Sequence, residues 1–240
     1  MSRPRVTLFP TCLADRFFAE AVADTVRVLR HLDVDVAVPA GATCCGQPAY
    51  NAGHRDEAVR VLRHAVDVLA DAEHVVAPSG SCAAMLRHHA PELLGGRDAE
   101  RARAVASRTR ELTQFLVDVL GAPPLGQGLR GRRIAYHHGC HALRTLGVRD
   151  QPVRLLRDAG AEVVAWPADQ ECCGFGGLFS VKLPDVSAAM ADRKLDTLPE
   201  VDLVTSADGG CLMQLGGRAG RTGRGVPFRH VASVLWEATL

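Results

Sequence analysis

Eight cysteines frame this chain, because they fall into two sets of four with one spacing. Cys12, Cys44, Cys45 and Cys82 are followed by Cys140, Cys172, Cys173 and Cys211. The interval from Cys12 to Cys44 equals that from Cys140 to Cys172, and the interval from Cys45 to Cys82 is shorter by one position than that from Cys173 to Cys211. Chance placement does not produce this. The surroundings repeat too: RVTLFPTC (5–12) matches RIAYHHGC (133–140), and VVAPSGSCAAM (75–85) matches LVTSADGGCLM (203–213). Such self-similarity marks two copies of one structural unit. The Gly- and Pro-rich stretch GAPPLGQGLRGR (121–132) has the composition of a connector. The expected organisation is a first half at 1–122, a linker at 123–129 and a second half at 130–240.

Within each half, short β-rich apolar runs alternate with longer helical patterns. Strands are expected at Val6–Phe9, Val34–Val38 and His74–Ala77, then near Ile134–His137, Glu162–Ala165, Leu203–Ser206 and Phe228. Helices are expected at Phe17–His31, Arg55–Asp71, from Ala83, and at about Ala99–Leu120. The second half adds helices near Val153–Asp158, Val186–Thr197, Leu212–Leu215 and Val231–Ala238. This alternation predicts an α/β fold of two pseudo-symmetric halves, each a small parallel sheet with flanking helices. Cys12, Cys82, Cys140 and Cys211 then fall at strand-to-helix turns, with the two Cys-Cys pairs a few residues further from their strands. All such turns of a parallel sheet lie at one edge, where ligands of open α/β sheets bind. Cysteines distant along the chain thus converge. Gly46 and Gly174 suit a turn that takes positive φ or comes close to a bound group.

Composition narrows what the thiols do. Twenty-eight basic against 27 acidic residues leave no charge excess for a nucleic-acid surface or a polybasic membrane anchor. No stretch approaches the ~20 apolar residues of a membrane span. The N-terminal MSRPRVTLFPTC has neither the apolar core nor the cleavage pattern of a secretory signal. The expectation is a soluble intracellular chain, in which eight cysteines serve as metal ligands or redox groups rather than four disulfides. Three readings of each four-thiol set compete. Zinc takes four such ligands but usually draws them from Cys-x-x-Cys knuckles, which are absent. Buried structural cysteines leave the duplication unexplained. An iron–sulfur cluster takes four thiolates, tolerates ligands spread along the chain and gains from nearby N–H donors.

The motifs CCGQPAYNAG, PSGSCAAM, CCGFGGLFSVKLPDVSAAM and GGCLMQLGGR resemble those of the lactate-utilisation protein A family of iron–sulfur-binding proteins. The duplicated CCG domain also resembles that of the glycolate oxidase iron–sulfur subunit and of the CCG-bearing subunit of heterodisulfide reductase. The likeness covers nearly the whole chain. It implies a cytoplasmic electron-transfer subunit, not active alone, that works with partner proteins in oxidising L-lactate to pyruvate. One implied partner is a ferredoxin-like iron–sulfur protein. The reductase pattern ends each half in Cys-x-x-Cys, whereas Met85 and Gln214 stand at those last positions here. The expected cofactor is therefore a four-cysteine [4Fe–4S] cluster per half, held by Cys12, Cys44, Cys45 and Cys82 and by Cys140, Cys172, Cys173 and Cys211. A thiol–disulfide or heterodisulfide-handling enzyme that uses the CCG cysteines, and a zinc-stabilised interaction module, stand as alternatives. No dinucleotide fingerprint follows a strand, so any redox partner cofactor belongs to another subunit.

Several residues lie near these motifs. His137, His138 and His141 flank Cys140 as candidate cluster ligands or proton relays, or as packed histidines. Lys182, one of two lysines beside Lys194, is a candidate cation near a cluster or a solvated residue. Tyr50 and Asn51 are candidate lining residues of the first site, His230 a strand cap, and Arg218, Arg221 and Arg224 a solvated loop or a docking surface.

Overall fold

A computed structural model describes residues 3–240; Met1 and Ser2, which open the expected first half, lie outside the described residues. Each half carries a four-stranded parallel sheet. The first holds β1 (Arg5–Leu8), β2 (Asp35–Ala37), β3 (His74–Ala77) and β4 (Thr109–Glu111), in the order β2-β1-β3-β4. The second holds β5 (Arg133–Tyr136), β6 (Glu162–Val163), β7 (Leu203–Ser206) and β8 (Phe228–His230), in the order β6-β5-β7-β8. The runs VTL, VVA, IAY and LVTS occupy the two central positions of each sheet, and all their residues are buried except the partly buried Thr7, as central parallel strands covered on both faces require. The edge strands β2 and β6 are shorter and partly exposed.

The strand β4 departs from the sequence expectation. Residues 99–120 contain neither glycine nor proline, so they read as one long helix. Instead a helix at Gly96–Arg108 stops and Thr109–Glu111 pairs in parallel with Val75–Ala77. Tertiary pairing with an open sheet edge overrides local propensity here. Three further differences are local. A helix at Cys12–Phe17 precedes the expected one, which runs Ala19–His31. Short helices at Gln47–Asn51, Cys140–Arg144 and Leu178–Lys182 are too short for periodicity to reveal. The helix expected near Leu212–Leu215 extends over Gly209–Arg221.

One apolar core crosses from half to half. Val6, Leu8, Val28 and Phe115 pack in the same cluster as Ile134, Leu155, Val231 and Leu235. The helix Ala19–His31 lies along Val231–Glu237. The expected linker segment joins this core: Leu125 and Leu129 are buried in it, and the Gly128 N–H donates to the Ala238 carbonyl at 3.1 Å. A second cluster around Phe9, Leu62, Val75 and Met85 belongs to the first half, and a third around Ala135, Trp166, Val204 and Leu215 to the second. Among the described residues no helix is long and apolar enough to cross a membrane.

The halves meet at the strand ends. A Cβ on Gly80 would lie 2.4 Å from that of Ala142, so only glycine lets the helix Gly80–Ala84 sit against Cys140–Arg144. The fourth strands differ at one shared position. Glu111 ends β4 and His230 ends β8, and each caps the helix that follows. Glu111 Oε2 accepts from the N–H groups of Thr113 and Gln114 at 2.9 and 3.2 Å. His230 Nδ1 accepts from the Ala232 N–H, and its Nε2–H lies 3.0 Å from both the Pro78 and the Ala207 carbonyl, one in each half. Burial pushes the Glu111 carboxyl up to about 7 against the hydrogen bonds that favour its ionised form, and Asp208 adds to the push.

The tight contact at Gly80 makes a testable contrast. Gly80→Ala is expected to destabilise the fold by roughly 1–3 kcal/mol through overpacking. Gly217→Ala, with open space around a helical position, is expected to be neutral or stabilising; denaturant unfolding of both variants checks the difference. Glu111 holds its proton more tightly folded than at its ordinary value of 4.5, so its contribution to stability is complete below that value and is lost as pH rises to about 7. The loss across that window is on the order of 3 kcal/mol. Glu111→Gln keeps the helix cap without the titration, and its unfolding free energy is expected to vary less over the same window.

Candidate metal centres

Each set of four thiols assembles the same way. Cys12 opens its helix behind Thr11, a non-glycine residue at φ 62°. Cys82 lies in the first turn of the helix Gly80–Ala84, whose cap Ser79 accepts from the Cys82 N–H through its hydroxyl. Cys44 and Cys45 lie in the loop after β2. In the second half Cys140 opens its helix after β5, Cys211 lies in the first turn of Gly209–Arg221 after β7, and Cys172 and Cys173 follow β6. The parallel sheets therefore deliver three strand ends per half to one edge, as the alternation predicted.

The turn after each cysteine pair repeats down to its dihedral angles. Gly46 sits at φ 83° and Gly174 at φ 85°, the left-handed region that favours glycine. The Gly46 N–H points at Cys44 Sγ (3.4 Å) and the Gly174 N–H at Cys172 Sγ (3.5 Å). A Cβ would lie 3.1 Å from the Ala58 carbonyl oxygen at the first glycine and 2.6 Å from that of Ser187 at the second. Both glycines thus shape the turn and aim an N–H at a thiol.

Sulfur meets sulfur in both groups. Cys12 and Cys44 lie 3.6 Å apart, Cys45 and Cys82 3.3 Å, and Cys173 and Cys211 3.1 Å, with all eight cysteines as free thiols. Exposure repeats as well: Cys12, Cys44, Cys140 and Cys172 are partly exposed, whereas Cys45, Cys82, Cys173 and Cys211 are buried. Hydrogen bonds from Cys12 and Cys45, helped by the Gly46 N–H, hold the Cys44 thiol down to about 3. Cys140 and Cys173, with the Gly174 N–H, hold Cys172 down to about 2. Their partners Cys12, Cys45, Cys140 and Cys173 are pushed up by those same contacts and by burial. In each group the neighbouring thiols and the glycine N–H thus favour the thiolate form of one cysteine, the form that binds metal.

Chemically the donor set fits a soft metal or an iron–sulfur cluster. The fit has one geometric condition. A single tetrahedral ion with ~2.3 Å metal–sulfur bonds separates its sulfurs by ~3.8 Å, close to the spacing here. A polynuclear cluster spreads them further, and the partly exposed cysteines are the ones with room to move outward.

The other candidates fall into place around this edge. Met85 is buried in the first-half core at the start of a π-helical turn (Met85–His89), and the Gln214 side-chain N–H donates to the carbonyl and hydroxyl of Ser187. Tyr50 stacks on His89 at 4.9 Å. His141 lies 3.4 Å from the Gln47 amide of the first half and 3.6 Å from Cys140 Sγ, a polar bridge between the two sites. His138 stands 3.7 Å from the Asp169 carboxylate. Arg218 pairs with Asp192 and Arg224 with Asp196, which leaves the basic run largely neutralised. Lys182 is exposed.

Sequence reasoning does not single out Lys194 or Asp208. Lys194 is fully buried, bonds the Ala168 carbonyl and lies 4.2 Å from the Trp166 ring centre. Burial pulls it down to about 8, opposed by Asp169, Cys173 and Cys211. Its rarity in an arginine-rich chain is the available signal, but Lys182 shares it. Asp208 Oδ1 accepts from the Ser79 hydroxyl (3.0 Å) and the Ser81 N–H (2.9 Å) across the halves. Nothing in its sequence neighbourhood distinguishes it from a surface aspartate.

The cysteine-rich domain family matches the chain twice, over residues 6–87 and 134–216, and so covers all eight cysteines. Curated relatives match nearly end to end. The lactate utilization protein A of Geobacillus kaustophilus (strain HTA426) is 46% identical over 96% of this chain and 98% of its own. That of Geobacillus sp. (strain WCH70) is 45% identical with the same coverage, and that of Oceanobacillus iheyensis 41% over 96% of each. Among solved structures, a glutamate racemase from Thermus thermophilus shares 15% identity with a TM-score of 0.37 over 98% of this chain and 78% of that one, a likeness too slight to carry an argument. With two matched repeats and relatives above 40% identity across its length, the chain belongs to the lactate utilization protein A family of duplicated cysteine-rich-domain proteins.

Proposed function

We propose that the chain is an iron–sulfur electron-transfer subunit of a multi-protein system that oxidises L-lactate to pyruvate. The observation that carries this reading is the gathering of all eight cysteines into two matching four-thiol groups, each with one depressed thiol. The lactate part rests on the names of its relatives. Cys12, Cys44, Cys45 and Cys82 would hold one cluster, and Cys140, Cys172, Cys173 and Cys211 the other. A [4Fe–4S] cluster in each supplies one-electron transfer.

The chain's own residues serve that chemistry in three ways. Gly46 and Gly174 aim N–H groups at sulfur, which stabilises its negative charge. The buried cysteines anchor each group in the core, while the partly exposed ones face the side from which a partner protein exchanges electrons. Two sites bridged by Gln47 and His141 suit a two-electron oxidation fed through one-electron carriers. The electron-delivering and electron-accepting components belong to partners, among them a ferredoxin-like iron–sulfur protein, and the reading places the chain in the cytoplasm.

A second reading is favoured by the sulfur contacts of 3.1–3.6 Å, which suit a single zinc ion in each site and no redox role. A third follows from the depressed, partly exposed Cys44 and Cys172, which meet the first need of a thiol–disulfide enzyme.

Anaerobically purified protein is expected to be brown, with about eight irons and as much sulfide per chain, the content of two four-iron clusters. Its reduced form should give the EPR signal of paramagnetic clusters. Zinc alone would overturn the reading in favour of the second, and iron-free protein that turns over disulfides would favour the third. Cys82→Ser and Cys211→Ser are each expected to lose about half the iron and leave the other site's signal intact. Gly174→Ala introduces both positive-φ strain and a 2.6 Å contact, so it should weaken cluster retention in the second site while sparing the first; iron content and EPR intensity measure both.

A further inference from the structure

The two four-thiol groups differ in what lines their buried side. The residue equivalent to His137 in the first half is Phe9, fully buried and packed in the cluster that contains Cys45 and Cys82. A phenyl ring has no donor, so the first site is lined there by hydrocarbon. In the second site the same place carries an imidazole. His137 continues β5, its N–H bonded to the Thr205 carbonyl at 2.8 Å, and only 1% of it is exposed. Its ring is fixed from two sides, by the Trp166 edge at 6.3 Å between ring centres and by the Asp169 carbonyl 3.1 Å from Nδ1.

That carbonyl settles the tautomer. A carbonyl oxygen only accepts, so Nδ1 carries the hydrogen and Nε2 keeps its lone pair. Nε2 is buried without a hydrogen-bond partner among the described residues, and a buried acceptor left unpaired is costly. One ring nitrogen of His137 and the sulfurs of Cys173 and Cys211 all lie within 4.8 Å of one another, and with Nδ1 engaged by the Asp169 carbonyl the nitrogen left to bind beside them is Nε2. An imidazole that donates its other N–H to a backbone carbonyl is the usual arrangement of a metal-ligating histidine.

We propose that His137 Nε2 is an iron ligand of the second site beside Cys173 and Cys211, in place of one of the two partly exposed thiolates, which gives that site a nitrogen donor the first site lacks. The inference rests on the iron–sulfur reading above. Its consequence is that the two sites differ in potential: a neutral imidazole at iron carries less negative charge than thiolate, and histidine ligation raises cluster potentials. Lys194 acts in the same direction, since it is buried beside Cys173 and Cys211. In the register that pairs Ser187 with Ala58, its counterpart in the first half is the buried Ala65. The second site is therefore the more oxidising of the two, and the repeat has become a directional pair.

Pulsed EPR on reduced, reconstituted protein with 15N-labelled histidine tests the assignment. A strongly coupled histidine nitrogen is expected in Cys45→Ser protein, which keeps only the second site, and no such coupling in Cys173→Ser protein, which keeps only the first. The coupling should vanish in His137→Phe and persist in His141→Ala, and His137→Phe should shift the second site's potential to more negative values. Iron-loaded protein with no strong histidine coupling, or coupling that survives His137→Phe, overturns the assignment and leaves the iron–sulfur reading standing. Protein that takes up no iron or sulfide overturns both. Labelled wild-type protein alone gives the first answer if a variant fails to fold.

Discussion

The carboxylate of Asp208 is where three of the cysteine-bearing turns meet. Oδ1 takes the Ser79 hydroxyl and the Ser81 N–H, in the turn that leads to Cys82. Asp208 itself stands at the cap of the helix that carries Cys211. Its other oxygen occupies the space where a Cβ on Gly139, the residue before Cys140, would stand at 2.0 Å. Around this junction the helix Gly80–Ala84 lies against Cys140–Arg144, and Cys12–Phe17 against Gly209–Arg221. Each half thus packs the helix of its first cysteine against the helix of the other half's last one, so the two sites face each other by construction.

That crossing explains why the repeat is imperfect near the axis. Two copies of one unit place identical residues opposite each other, and a pair of like charges there would repel. The chain resolves this with unlike partners. Ser79 stands where the second half has Asp208, so one half donates and the other accepts. Glu111 stands where the second half has His230, whose Nε2–H lies between matching carbonyls of Pro78 and Ala207. The buried polar groups at the junction therefore form directional bonds that specify one docking of the halves.

The same divergence reaches the thiol groups. The features they share are those that build any four-thiol site: the strand-end helices, the positive-φ glycine after the pair, and the graded exposure of the cysteines. The features they do not share lie one layer down, where Phe9 corresponds to His137 and Ala65 to Lys194. Duplication supplied two equal sockets, and substitution in the layer beneath gave them unequal electrostatics.

The sequence alone determined much of this. Constant offsets between eight cysteines identify the repeat, and strand–helix alternation then dictates parallel sheets whose ends converge, because side-chain periodicity and crossover geometry are local properties. The short strand β4 escaped that reading, since Thr109–Glu111 is extended only because β3 leaves an edge open beside it. The second-site histidine was visible as one of three around Cys140, but which of them faces sulfur depends on a carbonyl contributed by Asp169, well along the chain. Asp208 carried no local signal, and Lys194 only a rarity that it shares with Lys182, because the role of a buried charge is set by what surrounds it in space. Periodicity and spacing act along the chain and can be read there. Burial, tautomer and the meeting of the two halves arise between distant segments, and only the folded structure decided them.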